Sequence, residues 1–460
     1  MRALPVVVAL LVLAPTVGMS AGPLASPETG APGGTPVAAG GSSLESPTSD
    51  ATARFWAVTT PQNSSQGSSN ETTSPSGAED SDLNRTTNVL DIPPNRISRS
   101  THDRHAVDLG PAIGFASNAT SSRLATLTVL ERVERVEPAR RKAAIQRALE
   151  DIDDELVRLR QREQAAIGAY SAGTITSREL LIRLARIDIR ARSLSERRAA
   201  LVDLAERDGI DLDQARLAVL ERRTDALTGP VRGEAVSVLK GASPPSRFYV
   251  ETGPRSVVLT TVIDDTYVRE AFRGDRYNPG GRDINPERAL DIVAESYPVI
   301  WETRRNNTEV TGSQGNYLVT VPHERGVLIA FVDGDSERVY KEFQRRPLAT
   351  MDDFEGVSAA KDGLRLTVNR SYPGAPLHVT LVDVESGRPI DANVTIGQGN
   401  SESELVGQTG SEGELWTLSP RGRYTITAIR GNSVVVLTVD PAATPLTETP
   451  ANETTANGTA

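Results

Sequence analysis

Cysteine is absent from all 460 residues, which excludes disulfides, thiolate metal sites, a cysteine nucleophile and a lipid-modified N-terminal cysteine. Lysine is scarce: Lys142, Lys240, Lys341 and Lys361 stand against 46 arginines, 50 basic residues less these 4. Aromatic residues make up 4% and hydrophobic residues 38%, so part of the chain has too little apolar surface to enter a packed core. Histidine occurs only at His102, His105, His323 and His378, which leaves few general bases or metal ligands. Long apolar runs are missing as well. The run over residues 3–14 would rise about 18 Å as a helix, against roughly 30 Å of bilayer hydrocarbon.

What is present points to an exported protein. Arg2, the apolar run and the small residues Gly18 and Ser20 form a signal-peptide pattern over residues 1–20, with a cut after Ser20. No transmembrane span is expected once this signal is removed. The net charge of -10 with pI ≈ 5.2 speaks against nucleic acid as a partner, because phosphate binding needs clustered positive charge. An acidic surface with arginine in place of lysine fits a protein hydrated in high salt. GC-rich codon usage gives the same arginine bias.

Residues 21–119 are rich in Ser, Thr, Pro, Gly and Ala, and are expected to form a disordered stalk that cannot offset its own ordering entropy. The segment Phe55-Trp56-Ala57-Val58 is its one apolar island. His102 and His105 fall in this stalk with two residues between them, without a helix to align them on a metal. N-glycosylation sequons occur at Asn63, Asn70, Asn84, Asn118, Asn306, Asn369, Asn393, Asn452 and Asn457, nine of the chain's 17 asparagines. They mark candidate attachment sites of a surface glycoprotein.

The pattern turns helical over 120–228. Leu149, Ile152, Leu156 and Leu159, and then Leu180, Leu184, Ile187, Ala191, Leu194 and Leu201, recur at steps of three and four. Residues 171–174 make the turn between them, Thr176 with Glu179 forms a capping box, and Asp208-Gly209 ends the second helix. An antiparallel helical hairpin, a coiled coil, is the expected fold here. Residues 229–346 read as an α+β domain, with strands at 247–251, 257–263, 267–272, 317–321, 327–332 and 338–343. Asn285-Pro286 opens a helix in it. Residues 362–440 read as a β-sandwich of about seven short strands, and 441–460 as a disordered tail. The predicted fold class is multidomain α+β: N-terminal stalk, antiparallel helical hairpin, α+β domain and C-terminal β-sandwich.

Three resemblances add to this. The run Gly387-Arg388-Pro389-Ile390-Asp391-Ala392-Asn393-Val394, the turn at Thr409-Gly410-Ser411-Glu412-Gly413 and the strand around Tyr424 resemble carboxypeptidase-regulatory and transthyretin-like sandwiches. That resemblance implies a non-catalytic spacer or binding unit. The helix from Pro286, the strand Tyr317-Leu318-Val319-Thr320-Val321 and the hairpin at Asp333-Gly334 resemble a PepSY-type module, which implies a role in restraining a peptidase. The segments Glu163-Gln164-Ala165-Ala166-Ile167-Gly168-Ala169-Tyr170 and Asp264-Asp265-Thr266-Tyr267-Val268-Arg269-Glu270-Ala271 are similar to a group of exported haloarchaeal proteins built from domains of unknown function. No activity carries over from that group.

Catalytic signatures are sparse. There is no Gly-x-Ser-x-Gly elbow and no phosphate-cradling glycine loop. The pairs Asp264-Asp265 and Asp333/Asp335 lie at expected hairpin turns, where Asp bonds nearby backbone groups. Calcium at Asp333-Gly334-Asp335 lacks the EF-hand ligand pattern. Trp416 and Tyr424 read as sandwich core before they read as a sugar platform. No catalytic, cofactor-binding or metal residue is assigned, and no cofactor is expected. The function expected is that of a non-catalytic, extracellular or cell-surface structural and interaction module. Its partners would be envelope proteins, or a second copy met through the helical hairpin. The alternative is a peptidase-regulating or peptide-binding protein acting through the PepSY-like domain.

Overall fold

The computed structural model of the chain describes residues 87–278, 283–313, 315–351, 356–399 and 402–447. The expected signal peptide, the apolar island at 55–58 and the stalk up to residue 86 lie outside the described residues.

Three long helices form one layer: α1 (Leu109–Glu134), α2 (Pro138–Ser171) and α3 (Ser177–Arg207). The apolar steps expected at 149–159 and 180–201 interlock as its core, with Ile152, Leu184, Ala191, Leu194 and Leu201 fully shielded or nearly so. The turn between α2 and α3 uses Gly173 at φ +74°, where a side chain would strain the backbone. Thr176 then caps α3 by accepting from the Glu179 amide at 3.2 Å. The antiparallel α2–α3 pair is present, but it does not stand alone. α1 runs parallel to α3, with Ser122 bonded to Arg190 (2.8 Å) and Glu134 paired with Arg207 (3.5 Å). The helical unit is therefore a three-helix layer and not an isolated two-helix coiled coil. Shorter helices α4 (Gln214–Asp225) and α5 (Pro230–Lys240) return the chain toward the sheet.

The sheet has eight antiparallel strands in the order β1-β2-β3-β4-β8-β7-β6-β5. They are β1 (Arg99–His105), β2 (Ser246–Gly253), β3 (Ser256–Ile263), β4 (Thr266–Arg273), β5 (Glu309–Ser313), β6 (Asn316–His323), β7 (Gly326–Asp333) and β8 (Arg338–Pro347). Between β4 and β5 lie α6 (Pro286–Ser296) and α7 (Pro298–Glu302). Asn285 caps α6 through the Arg288 amide at 2.8 Å. One face of the sheet carries the three-helix layer. The other carries α6, α7 and the segment 89–92, which share a core with Val319, Val321, Leu328, Ala330 and Val339.

Residues 87–119 correct the expected stalk. β1 pairs with β2 along its length, and α1 begins at Leu109. The expected tail is corrected over 441–447. Val89 forms a parallel bridge with Leu446, the Val89 amide donates to the Pro445 carbonyl (2.8 Å), and Thr447 donates back to Val89 (3.2 Å). Residues 448–460 lie outside the described residues.

The C-terminal region holds two facing four-stranded sheets, β14-β11-β10-β9 and β13-β12-β15-β16. Their strands are β9 (Gly356–Lys361), β10 (Leu364–Asn369), β11 (Pro376–Asp383), β12 (Asn393–Gln398), β13 (Glu404–Gln408), β14 (Glu414–Leu418), β15 (Tyr424–Arg430) and β16 (Ser433–Val439). Leu366, Val379, Leu381, Val394, Ile426 and Val435 fill the space between. That makes a β-sandwich of eight strands where about seven were expected. It leans on the large sheet through Tyr249, Tyr267, Leu348, Met351 and Leu418.

Charge is buried on both faces of the central strands. Toward the helices, Arg232 of α5 pairs with Glu163 of α2 (2.6 Å) and Glu270 of β4 (2.5 Å), and all three side chains are 0% exposed. Toward α6, Arg269 pairs with Glu342 (2.9 Å), and Glu342 also accepts from the Tyr297 hydroxyl (2.6 Å) and the Leu90 amide (2.8 Å). Gly229 is needed beside the first cluster, because a Cβ there would meet the Glu270 carboxylate at 1.9 Å.

Two predictions follow from these buried groups. Arg232→Ala strips Glu270 of its paired cation and leaves Glu163 with Arg160 alone, so it should cost about 3–5 kcal/mol in urea unfolding. His323 is 2% exposed and neither ring nitrogen has a hydrogen-bond partner among the described residues. Burial, with Arg346, Arg325 and Arg305 nearby, lowers its pKa from 6.5 to about 3. Between those values the unfolded chain binds a proton that the folded chain does not, so this histidine removes stability as pH falls from about 6.5 to 3. His323→Phe should raise the melting temperature across that window, more at pH 4.5 than at pH 8.

Candidate functional site

The three-helix layer encloses an open groove of about 520 Å³. Helical spacing builds it. On α3, Arg183, Arg186, Ile187 and Arg190 recur at steps of three and four and share one face. On α2, Glu155, Leu159, Arg162 and Ala165 do the same. α1 closes the third side with Asn118, Ser121 and Ser122. Four arginines face one carboxylate, so the lining carries a formal charge of 4 − 1 = +3. Glu155 is shared among Arg158 (2.9 Å), Arg190 (3.6 Å) and Arg162 (3.9 Å). Arg183 turns to Glu179 (2.5 Å). Arg186 is exposed and makes no hydrogen bond or ion pair among the described residues.

This arrangement suits an anion. Guanidinium groups bind carboxylate, phosphate or sulfate through parallel hydrogen bonds, and the neighbouring hydroxyls and amide recognise a polar scaffold. Leu159, Ala165 and Ile187 give it a partly apolar floor.

A second group of ionisable side chains with shifted proton affinity is sealed between helices and sheet. A β-bulge sets it up. Val332 pairs with Val339 and Phe331 with Lys341, so Tyr340 is the extra residue and both Tyr340 and Lys341 face the helices. Lys341 Nζ donates to the Ala226 (2.8 Å) and Thr228 (2.6 Å) carbonyls. Burial, with Arg232 close by, lowers its pKa to about 7. Burial alone would raise Glu163, but Arg160 and Arg232 hold it below its ordinary value. Glu163, Arg232, Glu270 and Lys341 are each 0% exposed, so the cluster is closed to solvent. Among the described residues no group of three or more His, Asp or Glu side chains converges as a metal site would require, and no helix is long and apolar enough to cross a membrane.

Comparison with known protein families decides the chain's affiliation. Residues 1–243, more than half of the 460, match the domain of unknown function DUF7096. The chain belongs to the DUF7096 family. Residues 248–352 match a second family of unknown function, DUF7094, and residues 355–437 match an archaeal fibronectin-III type-like domain. No curated protein and no solved structure matches the chain. The DUF7096 match supplies the whole arginine groove. It also supplies β1, which completes the edge of a sheet whose other strands, apart from the first two residues of β2, fall in the DUF7094 match.

The residues singled out from sequence do not meet in one place. His102 and His105 lie on β1, opposite Tyr249 and Ser246, and not in a disordered segment. Burial lowers the pKa of His105, and its ring tilts against Phe248 at 5.7 Å. His378 stacks on Trp416 at 4.2 Å. Tyr424 is buried in the sandwich core, whereas Trp416 is half-buried against the Tyr249–Tyr267 cluster. The Asp pairs make turns. Asp264 takes φ +50°, and Asp333 accepts from the Ser336 (2.9 Å) and Asn278 (3.1 Å) amides. Of the candidate glycosylation sites, Asn118, Asn306 and Asn393 are exposed and Asn369 is half-buried. Asn63, Asn70, Asn84, Asn452 and Asn457 lie outside the described residues. Sequence reasoning missed the groove because its walls come from separate helices, although the recurrence of Arg183, Arg186 and Arg190 was a usable signal.

Glu155 is the one carboxylate among the groove's lining residues, so Glu155→Gln should strengthen its hold on anions at low salt. The expected readout is elution of the variant from immobilised heparin at higher salt than the wild type.

Proposed function

We propose that this DUF7096 chain is an exported, non-catalytic protein of the cell envelope that holds acidic groups of neighbouring surface polymers in the arginine groove of its helical layer. The observation that carries this reading is Arg186, an exposed guanidinium without a partner among the described residues, set between Arg183 and Arg190 in an open groove. Export is supported by the signal pattern over residues 1–20, and a surface location by the nine sequons. Asn118 lines the groove, so carbohydrate attached to it would project over the arginines. The acidic remainder of the surface, and its low lysine content, fit a protein kept hydrated in high salt.

The test has two arms. Fractionation of the native cells should place the mature chain in the envelope or medium, with a new N-terminus at Ala21 and glycan on sequon asparagines by mass spectrometry. A chain recovered from the cytosol with Met1 intact would refute the localisation. Separately, the double charge reversal Arg186→Glu/Arg190→Glu should abolish retention on a polyanionic matrix such as heparin or polygalacturonate while leaving the melting temperature within a few degrees. Unchanged retention would refute the groove.

A second reading has one observation in its favour. β5 is an exposed edge of the eight-stranded sheet beside α6, where an extended peptide could add as a further strand. This is the peptide-binding or peptidase-restraining role that the PepSY-like resemblance implies. Co-purification of a peptidase, lost on substituting Val310 by Pro, would favour it.

A further inference from the structure

α1 has two faces of different destiny. Phe115, Ser122 and Val133 are buried within the layer. On the far side, at about 100° per residue, Leu109, Ile113, Ala116, Thr120, Leu124 and Leu127 fall within an arc of about 80°. All six are exposed. Leu109 is 74% exposed, Ile113 69%, Leu124 65% and Leu127 59%. With Val107, five of the ten exposed large hydrophobic residues among the described ones fall on this single segment. Charge is missing too. Residues 109–122 contain no ionisable side chain, whereas α2 and α3 are dense with Arg, Asp and Glu. A helix apolar on both sides is one that expects packing on both sides.

The spacing of the stripe indicates what covers it. Positions 109, 113, 116, 120, 124, 127 and 131 step by 4, 3, 4, 4, 3 and 4, a series that reads the same in both directions about Thr120. An antiparallel copy of the same helix therefore meets it in register. Ile113 of one copy lies against Leu127 of the other, the small Ala116 receives Leu124, and Thr120 faces itself. This is the self-complementarity that a two-fold contact requires. Glu131, the one charged residue of the series, falls beside Leu109 at the start of the opposing helix, where the helix dipole favours a negative group. No like charges are brought face to face.

We propose that the exposed face of α1 is the interface through which a second copy of this chain docks, antiparallel and centred on Thr120. The contact does not use the arginine groove. Asn118 lies about 160° around the helix from the centre of the stripe, on the groove side.

The experiment exploits the absence of cysteine from the full chain. Sedimentation of the wild type at micromolar concentration should give twice the chain mass, and Ile113→Glu should give a single chain with unchanged circular dichroism. Thr120→Cys should form a disulfide-linked dimer under mild oxidation, and Asn118→Cys, on the other side of the helix, should not. The cysteine variants keep every large apolar residue of the stripe, so they remain informative if Ile113→Glu fails to fold. A wild type that sediments as a single chain overturns the proposal. So does equal cross-linking at positions 118 and 120, or a dimer that does not cross-link through position 120. A single chain whose stripe is protected from hydrogen exchange would show that a preceding segment of the same chain covers it, and equally overturns the proposal.

Discussion

The Arg232 guanidinium lies where the helical layer meets the sheet, with Glu163 on one side and Glu270 on the other, and the placement of the layer depends on it. None of the three groups reaches water. Ions this deeply buried are costly unless each has its counter-ion, so the contact favours one relative position of helix and strand over the rest. The neighbouring residue repeats the device on the opposite face. Arg269 and Glu270 are consecutive on β4, and consecutive strand residues point to opposite sides. One strand therefore sends a cation toward α6 and the segment 87–92, and an anion toward α5. Arg269 reaches Glu342 and the Leu90 carbonyl (2.8 Å), while Arg273 reaches the Asp91 carbonyl (2.6 Å). Such contacts add less to net stability than apolar packing of the same volume would, and they fix geometry.

The family boundaries do not coincide with physical ones. Glu163 and Arg232 fall in the DUF7096 match and Glu270 in the DUF7094 match, so the buried triad crosses from one to the other. β1 crosses as well, pairing with β2 from Arg99 to His105. The archaeal fibronectin-III type-like region is tied in by Arg421, whose guanidinium pairs with Glu251 of β2 at 2.6 Å. It is tied a second time by Thr260, which donates to the Gly374 carbonyl at 2.7 Å. The three matched regions are units of sequence, and their interfaces carry some of the most deeply buried polar groups of the molecule.

Much of the fold was legible in the sequence, and the omissions share a cause. The interior strands announce themselves through runs such as Val257-Val258-Leu259 and Val327-Leu328-Ile329. The caps at Thr176 and Asn285 were readable from residue type alone. The strands that escaped notice are β1, β5, β9 and β13, and each lies at the edge of its sheet. Edge strands blunt themselves with polar and charged residues, as Arg-Ser-Thr-His-Asp-Arg-His does in β1, and so lose the alternation that reveals a strand. The first half of α1 escaped for another reason. Gly110, Gly114, Ser117, Asn118 and Thr120 are weak helix formers, and packing against α3 overrides that weakness. The arginine face of the groove left a trace in the spacing of Arg183, Arg186 and Arg190, but the two ionic clusters were beyond reach, because each is assembled from elements far apart in sequence. Arg232 lies 69 positions after Glu163, and nothing local to either announces the pairing.

The parallel bridge between Val89 and Leu446 has a mechanical consequence. Because the two segments run parallel, Thr87 and Thr447 lie at opposite ends of this short pairing. A tension drawn between them would load that one small bridge and its few main-chain bonds. The eight-stranded sheet, the helices and the sandwich would lie outside the line of force, suspended from the junction as a closed loop.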